Sequence, residues 1–234
     1  MTTKLERALE DLKQGKIVLV YDADDREGET DMVIASEKVT PGVIRTLRHN
    51  AGGLVCTTLH ADISNRIGLP FLADVFSSVS DEYPVMGLLA PNDIPYDTKS
   101  AFSITINHRK TFTGITDSDR ALTITEFTKL ADKAMDHTNG WASRELGKNF
   151  RAPGHVMLLN TSKELLSSRT GHTELSTAMM VMAGLTPSAT ICEMMGDDGK
   201  ALSKEKAKEY AREFNLVFLE GKEITEAWRN WKEE

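Results

Sequence analysis

Lys16–Ser36 reads KIVLVYDADDREGETDMVIAS, two apolar ends around a charged middle, and this pattern decides the fold class. Lys16–Tyr21 (KIVLVY) is a short β-branched run of the kind that forms a buried strand. Thr30–Ser36 (TDMVIAS) returns to the same strand-like pattern, and Asp22–Glu29 between them is polar and irregular, so it is a loop leaving a strand. Loops in that position are where α/β proteins place their sites. Upstream, Leu5, Ala8, Leu9 and Leu12 recur at helical spacing and Gly15 is placed to end that helix. Downstream, Thr40-Pro41 looks like an N-cap followed by proline at the first helical position, Gly52-Gly53 closes the helix, and Leu54–Leu59 reads as the next strand.

Further along the pattern is less regular. Asp81–Lys99, with Pro84, Pro91 and Pro95, reads as a long surface excursion. Phe102, Ile104 and Ile106 alternate as one face of a strand. Thr125–Thr138 is expected as a helix stopped by Asn139-Gly140, Val156–Leu159 as a strand, His172–Ala183 as a helix and Ala189–Met194 as a strand. A helix over Ser203–Phe214, a strand over Leu216–Leu219 and a terminal helix complete the chain. No linker, repeat or low-complexity segment divides it. The expectation is a single α/β (α+β) domain over residues 1–234, with a mixed β-sheet flanked by helices.

Composition narrows the function. The 234 residues are 40% hydrophobic and 27% charged, ordinary for a globular protein. A net charge of −7 argues against a nucleic-acid partner, because phosphate contacts need a basic face. No apolar run is long enough to span a bilayer, and the charged, amphipathic N-terminus is neither signal peptide nor membrane anchor. Cys56 and Cys192 lie far apart and read as free thiols in a reducing compartment, so a cytoplasmic location is expected.

Two segments have chemistry. Asp22–Asp31 (DADDREGETD) holds six carboxylates and one arginine in ten residues. Such like charge is unfavourable unless a cation or ligand offsets it, and oxygen-only ligands suit Mg²⁺ or Mn²⁺. A calcium loop is excluded, since Arg26 and Glu27 stand where an EF-hand needs Asp/Asn and then Gly. Ser168–Glu174 (SRTGHTE) leads into a helix whose free N–H groups, with Arg169 and Thr173, suit a phosphate. His172 there can supply a nitrogen ligand to a metal beside the acidic loop. Arg151–Val156 (RAPGHV) reads as a turn delivering His155 to a strand, Thr111–Arg120 (TFTGITDSDR) as a polar loop able to hold an anion, and Glu193 as a charge closing an apolar run. Met179, Met180 and Met182 read as core packing. No P-loop, G-x-G-x-x-G, G-x-S-x-G or H-E-x-x-H occurs, which removes the usual support for nucleotide-driven, dinucleotide and serine-hydrolase chemistry. A metal-dependent enzyme acting on a small anion remains.

Five pieces in order, Asp25–Asp31 (DREGETD), Thr113–Thr116 with Asp119-Arg120, Arg151–Val156, Arg169–Glu174 (RTGHTE) and Cys192-Glu193, resemble the 3,4-dihydroxy-2-butanone 4-phosphate synthase family of riboflavin biosynthesis. The resemblance covers roughly residues 5–224. It implies a lyase that converts D-ribulose 5-phosphate to 3,4-dihydroxy-2-butanone 4-phosphate and formate, using two divalent ions, Mg²⁺ or Mn²⁺, per site. It also implies a homodimer with active sites at the interface. By the same resemblance Glu27 and His172 are the metal ligands. Arg26, Glu27, Asp31, Arg169, Thr170, Gly171, His172, Thr173 and Glu193 bind substrate, with Arg169 and Thr173 at the phosphate. His155, Glu193 and Asp31 are catalytic. Gly28 departs from the bacterial form, which has Asn there, and the chain looks more like the archaeal branch. The GTP cyclohydrolase II module fused to some relatives is missing, and Glu226–Glu234 matches nothing in the family. The rivals are another metal-dependent sugar-phosphate isomerase, epimerase or aldolase, and a nucleic-acid-binding module, which the charge disfavours.

Overall fold

The computed structural model describes residues 3–89 and 94–233. Among them the strands are β1 (Val18–Tyr21), β2 (Thr30–Ala35), β3 (Cys56–Leu59), β4 (Phe102–His108), β5 (Phe150–Asn160), β6 (Ala189–Glu193) and β7 (Phe218–Glu220). The helices are α1 (Lys4–Lys13), α2 (Pro41–Thr46), α3 (Ala61–Ile67), α4 (Leu72–Ser78), α5 (Pro84–Leu88), α6 (Asp117–Ala134), α7 (Trp141–Asn149), α8 (His172–Met182), α9 (Lys204–Glu213) and α10 (Gly221–Glu233). All seven strands join one mixed sheet in the order β4-β5-β3-β6-β2-β1-β7. The pair β3/β5 in the interior and the pair β1/β7 at one edge are parallel, and the other pairs are antiparallel. The α/β expectation with a mixed sheet and flanking helices therefore describes the molecule.

Both faces of the central strands are apolar, which is why these strands read as continuous hydrophobic runs. Leu19, Met32, Ile34 and Cys192 face a core completed by Ile44 of α2, Ile63 and Ile67 of α3, Ile124 and Phe127 of α6, and Ala207 of α9. Val18, Val20, Val33 and Ile191 face the other, built from Leu12 of α1, Leu175, Met179 and Met180 of α8, and Ile224 and Trp228 of α10. The methionine group thus packs as expected, with Met182 partly buried against the same core. Helix α8 is buried from His172 to Met180, so each polar group on it needs a partner inside the protein.

Several elements differ from the sequence reading. Helix α6 begins at Asp117, not Thr125, because Thr116 caps it by accepting from the Asp119 N–H. Its polar first turn lacks the apolar period that marks the rest. Thr111–Arg120 is therefore half loop and half helix, and Asp119 already accepts the Gly114 N–H at 2.8 Å and the Thr113 hydroxyl at 3.5 Å, the groups expected to hold an anion. Helices α3, α4, α5 and α7 were not expected, and α4 and α5 lie in or beside the segment read as an excursion. Pro91 falls outside the described residues. In β4 the register shifts between Phe102↔Leu159 and Thr105↔Met157, so the alternation breaks: Ser103 and Ile106 are buried while Phe102 is 38% exposed. Arg151–Gly154, read as a turn, belongs to the long strand β5.

Candidate active site and metal centre

The acidic stretch is the turn of the β1–β2 hairpin, whose register pairs Tyr21 with Thr30 and Val20 with Asp31. Asp22 shapes the turn from inside. Its Oδ1 accepts the Glu29 N–H at 3.1 Å, and its Oδ2 accepts the Glu27 N–H at 3.0 Å and Arg26 Nη1 at 3.3 Å. Gly28 has φ of 68°, the left-handed region open to glycine and tolerated by asparagine, so either residue fits this turn. The six carboxylates do not crowd together. Asp24 turns outward to the Tyr21 hydroxyl, which donates to it at 2.7 Å, Asp25 is exposed, and only Glu27 and Asp31 line the central cavity.

Asp31 lies on β2 directly opposite Glu193 on β6. It is 1% exposed, and its Oδ1 has no hydrogen-bond partner among the described residues. Burial first, and then the carboxylates of Glu193, Glu27 and Glu29, push its pKa up, against the opposing pull of His172. His172 opens α8 beneath the hairpin. Its Nδ1 is 3.1 Å from Glu27 Oε2 and its Nε2 is 3.2 Å from the Val20 carbonyl and 3.7 Å from Asp31 Oδ1. Burial alone would lower its pKa, but Asp31, Glu27 and Asp22 outweigh that and raise it. Conversely Glu27 is held below the usual carboxylate range: burial opposes this, and His172 and Arg26 prevail.

Asp22, Glu27 and His172 present ligand atoms within 4.8 Å of one another. Both Asp22 oxygens are committed to the backbone of the turn, whereas Glu27 Oε2 and His172 Nδ1 are engaged only with each other and could turn to a cation. The Glu27 carboxylate and the Val20 carbonyl both only accept, so the protonated His172 donates from Nδ1 to the first and from Nε2 to the second, and a cation bound at Nδ1 would take the place of that Nδ1 proton. The Glu27 carboxylate, the His172 imidazole and the orphaned buried Asp31 oxygen form a donor set that fits a divalent cation.

Beside this centre stand two guanidinium groups. The Asp97 carboxylate lies between them: its Oδ2 accepts Arg26 Nη2 at 2.9 Å and Arg169 Nε at 2.5 Å. Burial would raise the Asp97 pKa, but Arg169 and Arg26 hold it down. A carboxylate here occupies the position two arginines would offer an anion. Arg169 also bonds Glu174, a fully buried residue of α8 whose Oε1 accepts the Ser162 N–H at 2.8 Å. Gly171, the N-cap of α8, has no side chain to occupy the first N–H groups of the helix. Thr173 lines the cavity, and Thr170 lies on the outer groove with Arg26 and Asp97.

One cavity thus brings together Glu27, Asp31, Arg169, His172, Thr173 and Glu193. Arg26 touches it through Glu27 and Asp97. His155 is not brought in. It is exposed on β5, and three strand spacings separate β5 from β2, on the order of 14 Å. Sequence reasoning missed Asp97, and it included Asp22 and Glu174 in the two chemical segments without giving either a role. Asp97 had no local signal, since it lies 71 residues from Arg26 and 72 from Arg169.

Both thiols are buried and free. Burial, then Glu193 and Asp31, pushes Cys192 up to about 12 and Cys56 well above the ordinary thiol value, so neither is a thiolate near neutrality. Cys56 lines the cavity, whereas Cys192 sits in the core on the other face, which makes Cys56 the more sensitive of the two. The Cys56→Ser/Cys192→Ser protein is expected to keep most of its activity. Its loss should not exceed what a thermal unfolding curve accounts for, and a folded but inactive double variant would demand a covalent sulfur step.

The sequence profile of the 3,4-dihydroxy-2-butanone 4-phosphate synthase family matches residues 6–227. The 3,4-dihydroxy-2-butanone 4-phosphate synthase of Methanothermobacter thermautotrophicus is 50% identical over 229 residues, 97% of this chain and 97% of that one. The crystal structure of the Candida albicans synthase superposes with a TM-score of 0.71 at 28% identity, over 97% of this chain and 98% of that one. A further synthase, solved in complex with two magnesium ions, gives a TM-score of 0.71 at 23% identity over 93% of each chain. The chain belongs to the 3,4-dihydroxy-2-butanone 4-phosphate synthase family.

Proposed function

We propose that residues 1–234 form one 3,4-dihydroxy-2-butanone 4-phosphate synthase domain, a cytoplasmic lyase of riboflavin biosynthesis that converts D-ribulose 5-phosphate to 3,4-dihydroxy-2-butanone 4-phosphate and formate. The observation that carries this reading is the meeting of Glu27 and His172 in one cavity with Asp31 and Glu193, beside the arginine-flanked start of α8. Among the described residues no helix is long and apolar enough to cross a membrane. The −7 charge speaks against a nucleic-acid partner.

Glu27 and His172 would hold the divalent ions, Mg²⁺ or Mn²⁺. Bound there, the metal supplies Lewis acidity toward the substrate's carbonyl and hydroxyl oxygens. Arg169 and the open N-terminus of α8, with Thr173, bind the phosphate, and Arg26 and Thr170 close its outer side. The ketose has an acidic proton at C3, between its carbonyl and a hydroxyl carbon. Asp31 and Glu193, paired across β2 and β6, move protons on this side of the cavity. Removal of the C3 proton gives an enediol. Loss of the C1 hydroxyl, a skeletal shift and expulsion of C4 as formate follow from the family reaction. Ribulose 5-phosphate labelled with ¹³C at C4 should give labelled formate and unlabelled butanone phosphate, and EDTA should stop the reaction. Xylulose or ribose 5-phosphate as sole product would make the protein an epimerase or isomerase.

His155 enters this scheme through a homodimer, in which it completes the cavity of the second copy. Phe112, 94% exposed, and Ile115, 50% exposed, lie on the loop that Arg151 holds next to the His155 segment and would be covered by that copy. Co-expressed Glu27→Gln and His155→Asn chains, each inactive alone, should then recover about a quarter of wild-type activity. That is the statistical yield of one intact site in half of the dimers. Absence of any recovery in verified mixed dimers would place His155 in its own chain's site, and an active His155→Asn chain would place it outside the reaction.

A further inference from the structure

Asn107, near the end of β4, ties His155 to two other segments. It is 4% exposed. Its Oδ1 accepts the His155 backbone N–H at 2.9 Å, and its Nδ2 donates to the Thr113 carbonyl at 3.4 Å. A backbone N–H only donates and a backbone carbonyl only accepts, so these two contacts settle which end of the amide is oxygen and which is nitrogen. The other Nδ2 proton faces Nδ1 of the His155 ring at 3.1 Å. An amide NH₂ offers only hydrogens, so Nδ1 must present its lone pair. The neutral ring therefore carries its proton on Nε2, and protonating Nδ1 would set N–H against N–H.

The backbone around the amide is built to admit it. A Cβ at Gly114, whose φ is 94°, would lie 2.0 Å from Asn107 Nδ2. At Gly154 a Cβ would lie 2.0 Å from the Ile106 carbonyl carbon and 2.3 Å from the Asn107 nitrogen. The β4–β5 register jumps from Ile106↔Val156 to Asn107↔Arg151, which leaves residues 152–155 bulged outward with the ring exposed. The charged neighbours are engaged elsewhere: Arg151 donates to the Thr111 carbonyl at 3.0 Å, and Asp119 accepts the Gly114 N–H at 2.8 Å.

The geometry points to Asn107 as a positioning residue that holds the neutral His155 imidazole in the tautomer protonated on Nε2, so that this ring acts in the reaction as a hydrogen-bond donor from Nε2 and not as a base there. A neutral imidazole N–H can polarise a carbonyl or enediol oxygen. The role in the reaction rests on the proposed function, whereas the tautomer does not, and the test separates them.

Long-range ¹H–¹⁵N spectra of the ¹⁵N-histidine protein, with His155 assigned through His155→Gln, should show Nε2 protonated and Nδ1 bare. Asn107→Ala should lose that signature to an averaged mixture of tautomers. Its kcat should fall about 10–100-fold, the usual cost of removing an orienting partner of a functional histidine, with KM within about twofold. If Asn107→Ala does not fold, Asn107→Asp gives the answer: its carboxylate still accepts the His155 backbone N–H but accepts at Nδ1 as well, and should draw the proton there. A wild-type ring protonated on Nδ1 alone, or a variant with the wild-type signature, overturns the tautomer lock. A lost signature with unchanged kcat overturns the role of Asn107 in catalysis. An inactive wild-type protein with the expected signature counts against the proposed function and leaves the lock standing.

Discussion

Glu27→Gln and His172→Asn are each expected to lower kcat by at least about a thousandfold, with metal in excess, while the protein remains folded. Glu27 Oε2 and His172 Nδ1 face only each other in the buried cluster and could turn to a cation, whereas Asp22 spends both oxygens on the hairpin turn. Losing several kcal/mol of metal-dependent stabilisation corresponds to three decades or more, at about 1.36 kcal/mol each. Folding should survive for a separate reason. In Glu27→Gln the amide oxygen can still accept from Arg26, which lies 2.9 Å from Glu27 Oε1, while Arg26 keeps Asp22 and Asp97 and His172 keeps Asp31 as counter-charges. Circular dichroism should therefore show the native fold, with thermal unfolding shifted down by the lost attraction of the Glu27 carboxylate to His172 and Arg26. Near-normal turnover in either variant would remove that residue from the metal site.

Arg169→Ala should lower kcat/KM by at least about tenfold and also destabilise the protein by about 3–5 kcal/mol. The first figure is one charge-assisted bond of about 1.5–3 kcal/mol to the substrate phosphate, with about 1.4 kcal/mol per decade. The second arises because Arg169 faces Glu174, which is fully buried, and removing one partner of a buried pair strands the other charge. The two effects are separable. Adding Glu174→Gln removes the stranded carboxylate and keeps an acceptor for the Ser162 N–H, so it should restore much of the unfolding free energy. It should not restore kcat/KM. If the double variant regains both, Arg169 acts through stability and the phosphate binds elsewhere. In the proposed reading the incoming phosphate takes the place of the Asp97 carboxylate between Arg26 and Arg169.

What the sequence determined by itself is local. The β-branched runs KIVLVY and TDMVIAS specify two strands, because side chains buried on both faces leave no polar alternation, and their pairing as a hairpin was decided by the structure. Caps such as Thr40 and Ser203 and the helical period of Leu5–Leu12 specify helix starts and faces. These signals act within one or two turns of chain, so they survive reading in one dimension. They fail where the deciding contact is distant or the pattern is interrupted. The bulge in β4 is invisible in the alternation of Phe102, Ile104 and Ile106, since it depends on where β5 pairs. The polar start of α6 resembles a loop because it faces solvent and is held by a cap, not by packing.

The site divides in the same way. Local chemistry pointed to the acidic loop and to Arg169, His172 and Thr173 at a helix start, because clustered carboxylates and an arginine before a helix are local oddities, and the family resemblance singled out Glu27, Asp31 and Glu193 among the rest. Their meeting was decided by tertiary structure. Glu27 and His172 lie 145 residues apart and touch because hairpin β1–β2 and helix α8 pack on one sheet. The same packing buries Asp31 and Glu174, and burial, not residue type, is what raises a carboxyl pKa. It also sent Asp24 outward, turned Asp22 inward, and brought Asp97 between two arginines. His155 was named by its motif and placed by the sheet: two strands intervene between β5 and β2, a separation that only strand order sets.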